Sequence, residues 1–186
     1  QSRLATARPV NPASHDAYLL GRFQANSWAL DSLARSLKSY EEAIRIDPNN
    51  ALAYTGIAEW NANMAFLGSS PPGPFLQAAQ ESAAKALALD PQIAEAHLSM
   101  AYVLEVAQWD WRGAERELDR ALAIAPGSGQ VHFYRSMFLS AVGRHDEAIA
   151  AAQTAVKLDP LSPLMSVNLG WRYAGARKFA EAEQQY

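Results

Sequence analysis

A chain of 186 residues with 49% apolar content is long enough to bury a sizeable core. Its formal charge of −3 comes from 16 basic and 19 acidic residues of interspersed sign, so no basic stripe marks this segment for nucleic acid. Cysteine is absent, which excludes disulfides and thiolate chemistry and leaves the compartment open.

No apolar run approaches the ~20 residues needed to cross a bilayer, and no signal peptide is visible. The chain begins at Gln1 rather than Met and reads as a piece of a longer protein. Residues 1–13 contain Pro9 and Pro12 and no helical period, as a linker would. Ser14 is placed to cap a first helix starting near His15. Helices then pair off as 15–26 with 31–46, 50–65 with 74–89 and 93–107 with 111–124, followed by 128–142 with 145–158 and 162–175 with 178–186.

The pairing follows from a repeat. Alanine followed five residues later by proline recurs at Pro48, Pro91, Pro126 and Pro160, giving gaps of 43, 35 and 34 residues. A period near 34 is that of stacked helix–turn–helix units, which bury their apolar faces only against one another. Proline disfavours the helical conformation in the residue before it, so second helices end by Asp47, Asp90 and Asp159. Ala43, Ala86, Ala121 and Ala155 fall where helices cross closely. Glu41–Arg45 and Glu81–Lys85 have the spacing of surface pairs along a helix.

Two departures from the period stand out. The gap of 43 contains nine extra residues, and the breaker cluster Gly68-Ser69-Ser70-Pro71-Pro72-Gly73-Pro74 places them in a long stiff loop over 68–74. The gap of 35 contains one, near Gln108-Trp109-Asp110-Trp111, where Trp109 replaces the turn glycine. At the far end the last helix is cut short at Tyr186, and its outer face is expected to be apolar and uncovered.

Residue chemistry points away from catalysis. His97 and His132 recur 35 residues apart at one position of successive repeats, without a third metal ligand in step with them. Packing or hydrogen bonding accounts for both. Glu115 and Asp119 share a helix face with Arg116 and Arg120 in a mixed-charge pattern, unlike carboxylates paired across a cleft. No phosphate loop or nucleophile motif is present. The chain is therefore expected to hold no cofactor and no metal and to be no enzyme.

The repeat with Gly143, Asp146-Glu147-Ala148-Ile149, Ala155 and Leu158-Asp159-Pro160 resembles the tetratricopeptide repeat. Leu169-Gly170, Tyr173, Phe179 and Glu181-Ala182 fill complementary positions of the same motif. The resemblance implies an all-α solenoid, a right-handed superhelix of antiparallel helix pairs. About five repeats are expected over 14–186, at 14–48, 49–91, 92–126, 127–160 and 161–186.

It also implies a binding groove built from first helices. Register then assigns Thr55, Glu59, Asn63, Leu98, Tyr102, Glu105, Phe133, Tyr134, Met137, Asn168 and Trp171 to a partner-binding surface. The Lys, Asn and Arg of a chaperone-type carboxylate clamp are missing except Asn168. The groove reads instead as an apolar aromatic strip edged by Glu59, Glu95 and Glu105, suited to a basic amphipathic helix.

The partner expected is a protein or peptide, or another domain of the same parent, with neither nucleic acid nor membrane. The cut final helix offers a route to a homo-oligomer. The entry around Ala7-Arg8-Pro9-Val10-Asn11-Pro12, the Asp16–Arg22 run, the Pro-rich insertion and Trp109–Glu117 are similar to C-terminal arrays of bacterial multidomain regulators. Such arrays follow winged-helix DNA-binding domains, class III nucleotide cyclases or serine/threonine kinases. This implies a cytoplasmic regulator, with periplasmic arrays also known.

Overall fold

The computed structural model describes residues 11–26, 29–68 and 71–185, which fold into ten helices with no strand among them. These are α1 (Pro12–Ala25), α2 (Leu30–Ile46), α3 (Ala51–Leu67), α4 (Pro72–Leu89), α5 (Ala94–Gln108), α6 (Trp111–Ile124), α7 (Gly129–Ala141), α8 (His145–Leu158), α9 (Pro163–Gly175) and α10 (Phe179–Glu183). Most bounds fall within two residues of expectation. The chain packs as two compact units, Gln1–Ser99 and Met100–Tyr186, the division falling inside α5.

Three expectations need correction. First, α1 starts at Pro12 and not at His15. Pro12 occupies the first helical position, where a missing N–H costs nothing, and Asn11 Oδ1 accepts from Ala13 N and Ser14 N at 3.0 and 3.4 Å. Ser14 is thus a buried residue of the helix rather than its cap. The rest of the expected linker, residues 1–10, lies outside the described residues.

Second, the insertion is not a long loop. α3 and α4 have 17 and 18 residues against 13 and 14 in α7 and α8, so nearly all the extra chain is helical. Pro72 and Pro74 fit because first-turn amides have no intrahelical acceptor to lose. Of the expected stretch only residues 68–71 lie between the helices, and Ser69 and Ser70 are outside the described residues.

Third, the surface pairs are other than expected. Arg45 reaches Glu42 at 2.5 Å, three residues away, and Glu81 accepts from Gln77 Nε2 at 2.9 Å. Lys85 lies 6.0 Å over the Tyr54 ring.

In the first unit α1 packs on α2, α2 on α3, α3 on α4, and α1 also meets α3. The Asp-Pro junctions end the second helices as expected. Asp47 N and Asp90 N close on Ala43 O and Ala86 O at 2.9 and 2.8 Å, and both alanines are fully buried. Each aspartate then folds its Oδ1 onto an amide two residues on, Asn49 N at 3.0 Å and Gln92 N at 2.8 Å.

Between α1 and α3 the Tyr40 ring is held by two glycines. A Cβ built on either Gly21 or Gly56 would come within 2.6 Å of Tyr40 Cε1. Beneath them, Asn50 Nδ2 donates to Ser14 Oγ at 2.8 Å and Ser14 Oγ donates to Ala43 O at 2.7 Å. Asn50 Oδ1 meanwhile caps α3 through Ala53 N at 3.1 Å.

In the second unit α6 packs on α7, α7 on α8, α8 on α9, α9 on α10, and α7 meets α9. One turn recurs in register. Trp109, Gly143 and Arg177 have φ of 55°, 80° and 59°, each 34 residues from the next. Each is followed by an amide that bonds back across the turn: Asp110 N to Leu104 O, Arg144 N to Leu139 O and Lys178 N to Tyr173 O, at 3.0, 2.8 and 2.9 Å.

Only the middle turn has the glycine that this geometry favours. Left-handed backbone costs a side-chain-bearing residue about 1–2 kcal/mol, so Arg177→Gly is expected to stabilise the second unit by about 1 kcal/mol in urea unfolding. A loss of stability would show that the Arg177 side chain outweighs its backbone strain.

Arg144 ties three helices together, reaching Glu115 on α6 at 2.5 Å and Glu147 on α8 at 2.6 Å from the turn that follows α7. α10 is shorter than the expected 178–186, and Phe179 at its start is 62% exposed.

Candidate functional site

In the first unit, the first helices α1 and α3 and the opening turn of α5 enclose a pocket. Tyr18 and Arg22, one turn apart on α1, face Leu52, Thr55, Gly56 and Glu59 of α3 and Glu95 of α5 across about 330 Å³ of open space. Two features shape its floor. Gly56 lines it with a Cα that packs on the Tyr40 ring, and Tyr18 packs on Tyr40 with ring centres 6.1 Å apart.

Its electrostatics are mixed. Arg22 Nη1 donates to the Tyr18 phenol oxygen at 3.2 Å, leaving the phenol hydrogen to donate in turn. Burial pushes the Tyr18 phenol up, against the pull of Arg22, and holds it neutral. Arg22 is held above its ordinary value first by Tyr18 and also by the charges of Glu59 and Glu95. Burial, reinforced by Glu59, pushes Tyr40 up in the same way.

Of the residues assigned to the binding surface here, Thr55 and Glu59 line this pocket, and Asn63 lies half-buried one turn on. Thr55 and Leu98 are 5% and 2% exposed, and Thr55 Oγ1 is spent on Ala51 O at 3.0 Å. Leu98 thus belongs to the core, and Thr55 meets the pocket with its hydroxyl already bonded.

In the second unit Tyr102, Glu105, Phe133, Tyr134 and Met137 are all half-buried, and Trp171 is 48% exposed. Phe133 and Tyr134 meet edge to face, 5.5 Å between centres. Burial pushes the Glu105 carboxyl up, and burial with the Glu105 charge does the same to Tyr102.

Asn168 differs from its assignment. It is fully buried, with Nδ2 on Ser136 Oγ at 2.8 Å, and so acts as a strut between α7 and α9. Beside it, burial lowers Arg172, whose Nη1 donates to Ser136 O at 3.4 Å.

His97 and His132 are structural. His97 Nε2 lies 3.1 Å from Pro91 O and His132 Nε2 lies 3.0 Å from Pro126 O. A carbonyl only accepts, so Nε2 carries a proton in both, and each ring latches its helix to the turn six residues back. Glu115 and Asp119 are bound to Arg144 and Arg135 from beyond their own helix, at 2.5 and 2.6 Å. The 71% exposed Trp109 stands edge-on to Trp111 at 5.7 Å, and Trp111 leans on Phe138 at 6.4 Å. No cluster of three metal-ligating side chains occurs among the described residues.

Tyr18 and Arg22 escaped sequence reading because the first repeat carries too little of the motif to fix its register. One signal was available: Gly21 stands 35 residues before Gly56, and both meet Tyr40.

Comparison with known proteins agrees with this architecture. The tetratricopeptide repeat family model matches residues 103–163 and 139–186. A thermophilic tetratricopeptide protein of Thermus thermophilus superposes with a TM-score of 0.75 at 18% identity, over 94% of this chain and 88% of that one. PilW, a type IV pilus biogenesis factor, gives 0.69 at 21% identity over 94% and 75%. The transcriptional regulator HilA of Salmonella typhimurium is 25% identical over 154 residues, covering 83% of this chain but 28% of the regulator.

Proposed function

We propose that this chain, whose residues 103–186 match the tetratricopeptide repeat, binds a basic amphipathic helix of a partner protein, or of a neighbouring domain, on the faces of its first helices. The observation that carries this reading is the surface of the second unit. Tyr102, Phe133, Tyr134 and Met137 stay half-open and Trp171 half-exposed, whereas the second-helix alanines are sealed in the core. Aromatic and Met side chains of that kind mark binding surfaces, and Glu105 beside them, like Glu59 and Glu95 in the first unit, favours a cationic partner.

The chain contributes recognition and not chemistry. His97 and His132 latch turns, and Glu115, Asp119 and Glu147 are held by arginines. The likeness to part of HilA supports a place within a larger bacterial regulator. Among the described residues no helix is long and apolar enough to cross a membrane.

The test is fluorescence anisotropy with a labelled amphipathic helix built of Leu and Lys. Tyr102→Ala with Phe133→Ala should weaken binding at least about tenfold, the scale of losing two aromatic contacts, with circular dichroism unchanged. Unchanged affinity in a folded double variant would refute the reading.

A further inference from the structure

Resting on that reading, the geometry points to Arg172 of α9 as the seat for one carboxylate, an aspartate or glutamate side chain carried by the otherwise basic partner helix. Arg172 lies in the second unit, as does the aromatic surface proposed to meet that helix. Its Nη1 donates to Ser136 O of α7 at 3.4 Å, which sets the guanidinium between α7 and α9. Met137 follows Ser136 and Trp171 precedes Arg172, so the guanidinium and the aromatic strip are built on the same two helices.

What singles Arg172 out is the missing acid. Three arginines are half-buried among the described residues: Arg135, Arg144 and Arg172. Arg135 pairs with Asp119 at 2.6 Å, and Arg144 with Glu115 and Glu147 at 2.5 and 2.6 Å. Arg172 pairs with no carboxylate among the described residues. It has the long bond to a carbonyl, and its buried Nε has no acceptor there. Burial lowers the group, and no acidic neighbour opposes the shift. A guanidinium presents five donors in a planar fork that matches a carboxylate. Partly desolvated and with one donor engaged, Arg172 gains more from an incoming carboxylate than a solvated arginine would, and charge-assisted bonds are the stronger kind. One cationic point on a surface that otherwise favours cations fixes the register of the docked helix.

The experiment uses the whole chain and a set of labelled Leu and Lys helices in which one Lys at a time is replaced by Glu or by Gln. At one position the Glu helix is expected to bind about tenfold more tightly than its Gln counterpart, and at the others no better. Arg172→Gln should erase that preference and bind the Gln helices as tightly as the parent does or more so. Arg172→Lys, which keeps the charge and loses the fork, should retain part of the preference. No preference for Glu at any position of the parent chain, a comparison that needs no variant to fold, would overturn the seat. So would a preference that survives Arg172→Gln. In either case, binding still lost in the Tyr102→Ala and Phe133→Ala variant would leave the broader reading standing. Helices that fail to bind the parent chain, or that bind that double variant equally well, would remove both.

Discussion

Gly56→Ala is expected to destabilise the first unit by about 1–2 kcal/mol, although alanine is the better helix former by about 1 kcal/mol. The sign is set by Tyr40. Its ring is 2% exposed and lies against Gly56 on one side and Gly21 on the other, so a new methyl within 2.6 Å of Cε1 cannot be relieved by swinging the ring away. Overpacking of a filled core costs about 1–3 kcal/mol, which exceeds the gain in helix propensity.

The same logic predicts a reversal. In a Tyr40→Leu background the obstacle is gone, and Gly56→Ala should become neutral or stabilising. Urea unfolding of the four proteins gives the coupling directly. Equal effects of Gly56→Ala in both backgrounds would mean that the ring does not set the spacing of α1 and α3.

Asn50→Ala should cost the first unit about 2–3 kcal/mol, combining a lost helix cap with a lost buried hydrogen bond. The amide is 5% exposed and does two things at once. Its oxygen caps α3 through Ala53 N, and its nitrogen binds the Ser14 hydroxyl that in turn holds Ala43 O at the end of α2. Asn50→Asp separates the roles, since it keeps the capping oxygen and loses the donor. An intermediate loss is expected for it, and little change for the exposed neighbour in Asn49→Ala. If Asn50→Ala and Asn49→Ala proved equal, the buried chain of bonds would have no energetic weight.

The legible part of this protein was its period. Alanine and proline at fixed offsets located the ends of α2, α4, α6 and α8, because each acts through local backbone sterics or close helix approach. Asp47, Asp90 and Asp159 stop their helices where expected, and Ala43, Ala86, Ala121 and Ala155 are each fully buried. The insertion misled because Pro72 and Pro74 look like loop residues in sequence, yet proline is well tolerated in a first helical turn.

The burial of the residues assigned to the proposed binding surface was only partly legible. Register assigns a residue to a face but does not say how deeply neighbours cover it, and Thr55, Leu98 and Asn168 are buried. Arg144 was hidden for another reason: its partner Glu115 lies on a helix that only folding brings to it.

The most direct test of the binding account is an amide chemical-shift titration of the isotope-labelled chain with the Leu and Lys helix. The account predicts changes concentrated on the first helices, at Glu59, Asn63 and Glu95 and at Tyr102, Met137 and Trp171. Changes confined to α4, α6 and α8 at saturating peptide would contradict it.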